Sequence, residues 1–309
     1  MSNQVKGIYF AIATALISGV SIFVNKFAVD AIKPPLVFTT TKNIGVGLLI
    51  IAVIIGLRKW KEFKKISKKD FYYLLLIGVI GGSIPFYLYF TGLSKIPAVN
   101  AALIHKTLVL WIIILAIPFL KEKLTKIQAI AIALLFASNL AIGGFKGFKF
   151  SQGEFFVLAA TILWAVENIL AKKILPRIDA DILVAARMGL GSIILLGAAI
   201  IVAPAGLAKI THLSNIQWFW MSFTTIALLA YVMTWYRALK LAPAITVASV
   251  LVASTLVTNV LSAVFITHAW TKDMGIQALI MLIGVGIFWF AAKKETIVIP
   301  SGKKAAKLR

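Results

Sequence analysis

Long stretches of this chain carry no charged side chain at all: residues 7–25, 43–57, 71–94, 107–120, 127–145, 188–208, 210–236, 241–271 and 274–292. A run near or above ~18 such residues is long enough to cross a bilayer as a helix, because the hydrocarbon core is about 30 Å thick and a helix rises about 1.5 Å per residue. Adding the segments interrupted only by Lys42, His105–Lys106, Glu167 and Arg187 gives ten spans, at about 6–29, 35–57, 70–93, 97–120, 126–145, 154–175, 181–204, 215–237, 243–267 and 273–292. The chain is 61% hydrophobic and 14% charged, where soluble domains run nearer ~45–50% and ~25%. An all-α polytopic membrane protein is the expectation. The first span is kept as a helix, since its apolar run exceeds the ~7–15 residues of a signal-peptide core and no cleavage site follows.

A formal charge of +22 would suit a nucleic-acid binder, so the placement of the charges decides. With the N-terminus inside, 22 of the 32 Lys and Arg fall in inside segments, six outside and four within spans. That asymmetry follows the positive-inside rule and puts both termini in the cytoplasm of a multi-pass cell-membrane protein. Loop 58–65 and tail 302–307 read as topology signals that also meet anionic lipid heads. They lack the folded basic face with stacking aromatics that nucleic acid requires. There is no cysteine, hence no disulfide or thiolate metal site.

Sliding the sequence on itself by 146 residues lays the first five spans on the second five without a gap. Gly7 then meets Gly153, Gly45 meets Gly191, Pro97 meets Pro243 and Thr125 meets Thr271, and the span boundaries coincide. Five is odd, so the second copy enters the membrane from the opposite side. Two inverted five-helix repeats are expected, at 1–147 and 148–295, followed by a basic cytoplasmic tail at 296–309. This is the plan of secondary transporters, whose halves enclose a site near the bilayer midplane. Pro85 and Pro118 fall inside spans and should kink them, freeing carbonyls toward a cavity.

The run Tyr87-Leu88-Tyr89-Phe90-Thr91-Gly92-Leu93-Ser94-Lys95-Ile96-Pro97-Ala98, followed one span later by Phe119-Leu120-Lys121-Glu122-Lys123-Leu124-Thr125 and Gln128, resembles the EamA repeat of the drug/metabolite transporter superfamily. The second copy departs from it, with His268 at the position of Glu122 and Trp270 at that of Leu124. The resemblance implies movement of small metabolites, often export of amino acids or toxic compounds, through a cavity lined by both halves.

Ionisable groups inside spans are costly and normally face a partner, a water-filled cavity or a ligand. Glu167 is the one carboxylate well inside a span, and by helical rise Lys106 lies ~13 Å deep and Glu167 ~20 Å deep from their outer ends, a gap side chains can bridge. Two readings stand: the pair grips the two ends of a zwitterion or titrates as a proton site, or it is a salt bridge that only holds the halves in register. His105, about 100° away on the helix, is either a packing residue or a proton relay. Lys42 and Arg187 look like inverted counterparts, as anion-attracting vestibules at opposite mouths or as snorkelling side chains. Trp164, Trp111, Tyr87, Tyr89, Tyr231 and Trp235 are candidate cavity walls, and Asn168, Asn25, Asn100, Asn139 and Asn259 add neutral hydrogen-bonding groups. Glu122 reads as structural, capping its turn or pairing with Lys121, Lys123 or Lys126. No phosphate-binding loop, zinc helix or nucleophile elbow occurs, so no enzyme, cofactor or metal is implied. The resulting expectation is a secondary transporter of a small organic solute, an amino acid or related metabolite. The alternatives are a carrier of lipid-linked or amphiphilic molecules and a non-transporting scaffold or sensor.

Overall fold

A computed structural model describes residues 2–96, 98–142 and 148–298, without the side chains of 26, 98, 99, 139–142, 273 and 292–298. Pro97, the tail from 299 and Lys146 lie outside the described residues, as do the side chains of Lys26 and Asn139. Among the described residues the chain is helical throughout, and nine helices are long and apolar enough to cross a membrane, with a shorter tenth at Lys126–Ser138. The first two spans are α1 (Asn3–Ala31) and α2 (Pro35–Gly56), and Pro35 suits the first turn because its missing N–H has no partner there. The third span is α3 (Lys68–Gly82) plus α4 (Ile84–Leu93), and the fourth is α5 (Ala98–Lys106) plus α6 (Leu108–Leu120). Next come α7 (Lys126–Ile142) and α8 (Gln152–Ile174), the latter started by a capping box between Ser151 and Glu154.

The seventh span joins α9 (Ala180–Ala185) to α10 (Gly191–Val202) through a π-helical turn at Ala186–Leu190. After a short connecting helix, α11 (Pro204–Ala208), the long α12 (Asn215–Leu241) forms the eighth span. The ninth runs through α13 (Ala244–Val252), α14 (Ser254–Ser262) and a second π-helical turn at Ala263–Thr267, and α15 (Lys272–Val298) is the tenth. Every expected span is present, with ends displaced by a few residues; the expected end of the fifth, at 145, lies outside the described residues.

The packing repeats across the two halves. Helix α1 lies along α12 as α8 lies along α3 and α4; α14 meets α1 as α6 meets α8; α2 crosses α10, and α7 crosses α15. Each contact is exchanged for its partner when the halves are swapped, which is the pattern of an inverted repeat. Polar groups bind spans together where apolar side chains gain nothing over lipid: Thr14 Oγ1 donates to Thr234 Oγ1 at 2.8 Å, Thr258 Oγ1 to Gly19 O at 2.9 Å, and Asn259 Nδ2 to Gln277 Oε1 at 2.7 Å. The outer surface is a belt of exposed Leu, Ile and Phe, such as Leu48, Ile55, Ile114 and Ile201.

The π-helical turns refine the register. A π turn inserts one residue into a helix. Counted from the helix starts, Pro35 and Ala180, both Lys42 and Arg187 stand seven residues in, whereas the 146-residue offset sets Arg187 against Thr41. Beyond the turn, Gly45 and Gly191 return to the 146 offset. Lys42 and Arg187 are therefore structural counterparts.

Candidate functional site

The break in the third span builds one wall. Pro85 has no N–H to offer the carbonyl of Gly81 four residues back, and Trp164 Nε1 on α8 donates to that oxygen instead, at 3.0 Å. The next carbonyl, Gly82 O, accepts from Asn43 Nδ2 at 3.4 Å, and Ser83 Oγ donates to Val79 O at 2.8 Å. The backbone freed by the proline is thus satisfied by neighbouring spans, and α4 leaves the break with Phe86, Tyr89 and Phe90 facing inward.

Those rings line a cavity of about 600 Å3 between the halves. From α8 come Trp164, Glu167 and Asn168, which share one helix face by their spacing of three and four. Helix α1 adds Ser18, Ser21, Ile22 and Asn25, and α12 adds Thr224, Leu228, Tyr231 and Trp235. Lys42 enters from α2, His105 from α5 and Arg187 from the π-helical turn. Lining continues to Asp30, Lys33, Pro35, Ser94 and Ile96 at one end of the bundle. No residue of the 57–67, 121–125, 175–179 or 242–243 turns contributes at the other end.

The polar interior is tightly connected. Tyr236 OH donates to Glu167 Oε1 at 2.5 Å, and Trp235 Nε1 donates to Asn168 Oδ1 at 2.7 Å. Lys42 Nζ donates to Asn25 Oδ1 at 3.2 Å and stands 4.6 Å from the ring centroids of both Phe38 and Phe90. The Arg187 guanidinium lies 5.5 Å from the Phe86 ring and 5.8 Å from that of Tyr236. Gly81 makes room for the two charged side chains beside it: a Cβ there would stand 3.0 Å from Glu167 Cδ and 3.1 Å from Arg187 Nε. His105 packs edge-on to Tyr89 and Trp164. Among the described residues, three fully buried polar atoms of cavity side chains have no hydrogen-bond partner: Ser21 Oγ, His105 Nδ1 and Arg187 Nε.

Eight of the eleven residues singled out from the sequence line this cavity: Glu167, His105, Lys42, Arg187, Asn168, Trp164, Tyr89 and Trp235. Lys106, Tyr87 and Trp111 do not. Tyr87 is on the exposed face of α4, and Trp111 Nε1 donates to Thr107 Oγ1 at 3.2 Å. Lys106 is not paired with Glu167. Its ammonium donates to Ser254 Oγ, because the fourth and ninth spans break at matched points, Thr107 and Ala253, and Ser254 stands beside the second break. Helical rise gives depth but not azimuth, and the 100° between neighbours turns His105 into the cavity and Lys106 away from it. Lys42 and Arg187, expected at opposite mouths, share one cavity. Tyr236, Phe86, Phe90 and Ser254 were not foreseen. The Phe86–Phe90 spacing after Pro85 was the available signal.

The closed end is held by charges from both halves. Lys59, in a turn at Lys59–Lys65, bridges Asp179 at 3.0 Å and Asp181 at 2.7 Å, and Arg237 Nη2 donates to Asp181 Oδ1 at 2.7 Å. Arg177 pairs with Asp70 at 2.6 Å. Burial pulls the Lys59 ammonium down, but its bonds to Asp181 and Asp179 outweigh that and hold it above the usual lysine range. Burial pushes Asp179 up, yet Lys59 and the Asp181 N–H hold its carboxyl below the usual range. Glu122 accepts from Ala244 N at 2.7 Å and Ile245 N at 3.0 Å. It thus caps α13 of the other half rather than its own turn.

Two inverted helical halves around a central polar cavity, wrapped in an apolar belt, define a membrane transporter. Residues 5–143 and 151–290 each match the EamA-like transporter family, and the chain belongs to that family. An uncharacterized transporter of Methanothermobacter thermautotrophicus is 25% identical over 304 residues, covering 92% of this chain and 87% of the relative. An uncharacterized transporter of Synechocystis sp. is 27% identical over 216 residues, covering 66% of this chain and 60% of the relative. A solved structure titled only as the crystal structure of a protein superposes with a TM-score of 0.78 at 15% identity, over 94% of this chain and 99% of that one. That last likeness concerns the fold. The relatives' names point away from an enzyme.

Proposed function

We propose that the chain is a secondary transporter of a small organic solute, working by alternating access, with its cavity open to the outside in this state. One observation carries this reading: the cavity between the halves runs to the turns at one end and is sealed at the other by ion pairs that join the halves, Lys59 with Asp179 and Asp181 and Arg177 with Asp70. The sealed end is the one rich in Lys and Arg, which the positive-inside rule assigns to the cytoplasm. Breaking the Lys59–Asp181–Arg237 pairs while closing the opposite end presents the same site to the other side. The two repeats act as the moving units, at 1–147 and 148–295, and no nucleotide site supplies energy, so the solute or an ion gradient does.

The roles divide as the contacts suggest. Arg187, Lys42, Glu167 and Asn168 supply polar contacts to solute, and Trp164, Trp235, Tyr89 and His105 supply the walls. Lys106 holds two broken helices together and takes no part in binding. Export of an amino acid or related metabolite is the direction and class that family membership favours. Reconstituted into liposomes, the protein should move solute from a broad metabolite panel down its gradient without ATP, and Glu167→Gln or Arg187→Gln should cut that flux by roughly tenfold or more, the scale of one lost charged contact. A folded protein that moves nothing from the panel sinks the reading.

A further inference from the structure

Arg187 is 6% exposed, and among the described residues its Nε has no partner and its guanidinium donates to no oxygen, only to Met188 Sδ at 4.0 Å. A guanidinium presents five N–H donors in a planar fork that matches a carboxylate edge on. A buried guanidinium without a hydrogen-bonded anion is costly. Glu167 acts on it only through space: the two interact electrostatically, but no ion pair within 4.0 Å joins them, and Glu167 Oε1 is occupied by Tyr236. Lys42 is 2% exposed and has the same deficit, with one neutral acceptor, Asn25, and two rings.

The formal charge balance then discriminates between classes of solute. Deep in the cavity two cations, Lys42 and Arg187, face one acid, Glu167, while Lys33 and Asp30 offset one another at the open end. Counted with all three groups ionised, the interior is one positive charge in excess. A zwitterion leaves that excess in place and asks for a second acid to hold its ammonium. A phosphate monoester, with a charge of about −1.5 to −2 at neutral pH, overshoots it. A monocarboxylate closes it. The two cations stand over neighbouring rings of one stacked pair: Lys42 at 4.6 Å from Phe90, Arg187 at 5.5 Å from Phe86, and the rings 6.5 Å apart. Tyr89 and Trp164 continue that aromatic surface, so an apolar or aromatic body beside the carboxylate meets ring faces.

We propose that the cavity is a site for an organic monoanion, its carboxylate held by Arg187 with Lys42 as the second cation, and its apolar body lying against Phe86, Tyr89 and Trp164. This rests on the transporter reading and narrows its solute class, from an amino acid or related metabolite to a carboxylate that carries no ammonium. A matched set of probes separates the charges: phenylacetate, phenylacetamide, phenylalanine and phenyl phosphate, each titrated into purified protein while the fluorescence of the cavity tryptophans is followed. Phenylacetate should bind at least tenfold more tightly than the other three. Arg187→Gln should remove that preference and leave the amide unchanged, and Arg187→Lys should retain part of it, since charge survives without the fork. Should the Gln variant fail to fold, Lys42→Met provides the second test and should weaken phenylacetate selectively. Equal or tighter binding of phenylalanine, of the amide or of phenyl phosphate overturns the proposal, as does no phenylacetate binding by a protein that transports other solutes. Selective phenylacetate binding without flux in liposomes upholds the anion site and overturns the transporter reading.

Discussion

At the scale of single residues, the decisive distinction is between a buried charge that faces the cavity and one that faces a neighbouring helix. Lys106 and Arg187 are both buried cations, but Lys106 has Ser254 Oγ and stands outside the cavity lining, whereas Arg187 lines it with its Nε unpartnered. Replacing a buried ion by an apolar side chain of similar length is often neutral or stabilising, while removing only its partner strands the charge. Lys106→Met should therefore keep or raise the melting temperature and leave solute affinity within about threefold, a change worth under about 1 kcal/mol. Ser254→Ala should cost about 1 kcal/mol, the scale of an interhelical hydrogen bond in a membrane. Thermal melts and binding titrations on both variants check this; a Lys106→Met protein that folds but no longer binds solute returns Lys106 to the site. The sequence made Glu167 stand out as the sole deep acid, yet it could not show Tyr236 as its partner. Depth along a helix is legible from residue counts, but azimuth depends on packing.

At the scale of elements, the broken helices do the positioning. The third span breaks after Gly82 and resumes before Pro85, and the seventh carries a π-helical turn at the same level, so the two backbones meet closely there. A Cβ on Gly82 would collide with the carbonyl oxygen of Arg187 and stand 3.1 Å from Gly191 Cα. Those are backbone atoms that cannot rotate aside, so Gly82→Ala must push the third and seventh spans apart. Overpacking of this kind costs about 1–3 kcal/mol, and it displaces Arg187, so both melting temperature and affinity for a carboxylate should fall. Gly197, with nothing within 4 Å of its Cβ position, is the control, and its alanine variant should melt no lower than the native protein. Unaltered stability and affinity in Gly82→Ala would show that this contact is loose. The proline at 85 announced a break. Neither π-helical turn left a mark in composition, which is why a gapless 146-residue offset set Arg187 one residue away from its true counterpart.

At the scale of the whole molecule, span number, repeat and inversion were all readable, because hydrocarbon thickness and charge placement act on composition alone. Which end stands open was not, since it depends on long-range pairs such as Lys59–Asp181, 122 residues apart in sequence. Asp181 joins the halves through Lys59 at 2.7 Å and is held within its own half by Arg237 at 2.7 Å, while 0% exposed. Asp181→Asn removes the charge both cations share and should shift the population toward a state open at that end. The chain has no cysteine, so spin labels on Glu62→Cys and Lys173→Cys report without background, and their distance distribution should gain a longer component in the Asn variant. The acidity of the groups sets the pH window. Asp179 is held below the usual aspartate range, so its contribution is full above about pH 4 and is lost only as pH falls through its lowered value. Lys59 is held above the usual lysine range, so its contribution is full below about pH 10 and is lost as pH rises through its raised value. Between about pH 5 and 9 the label distances of the native protein should not move. An Asn variant with native distances, or a native protein whose distances drift across that window, would mean that these pairs do not hold the end shut.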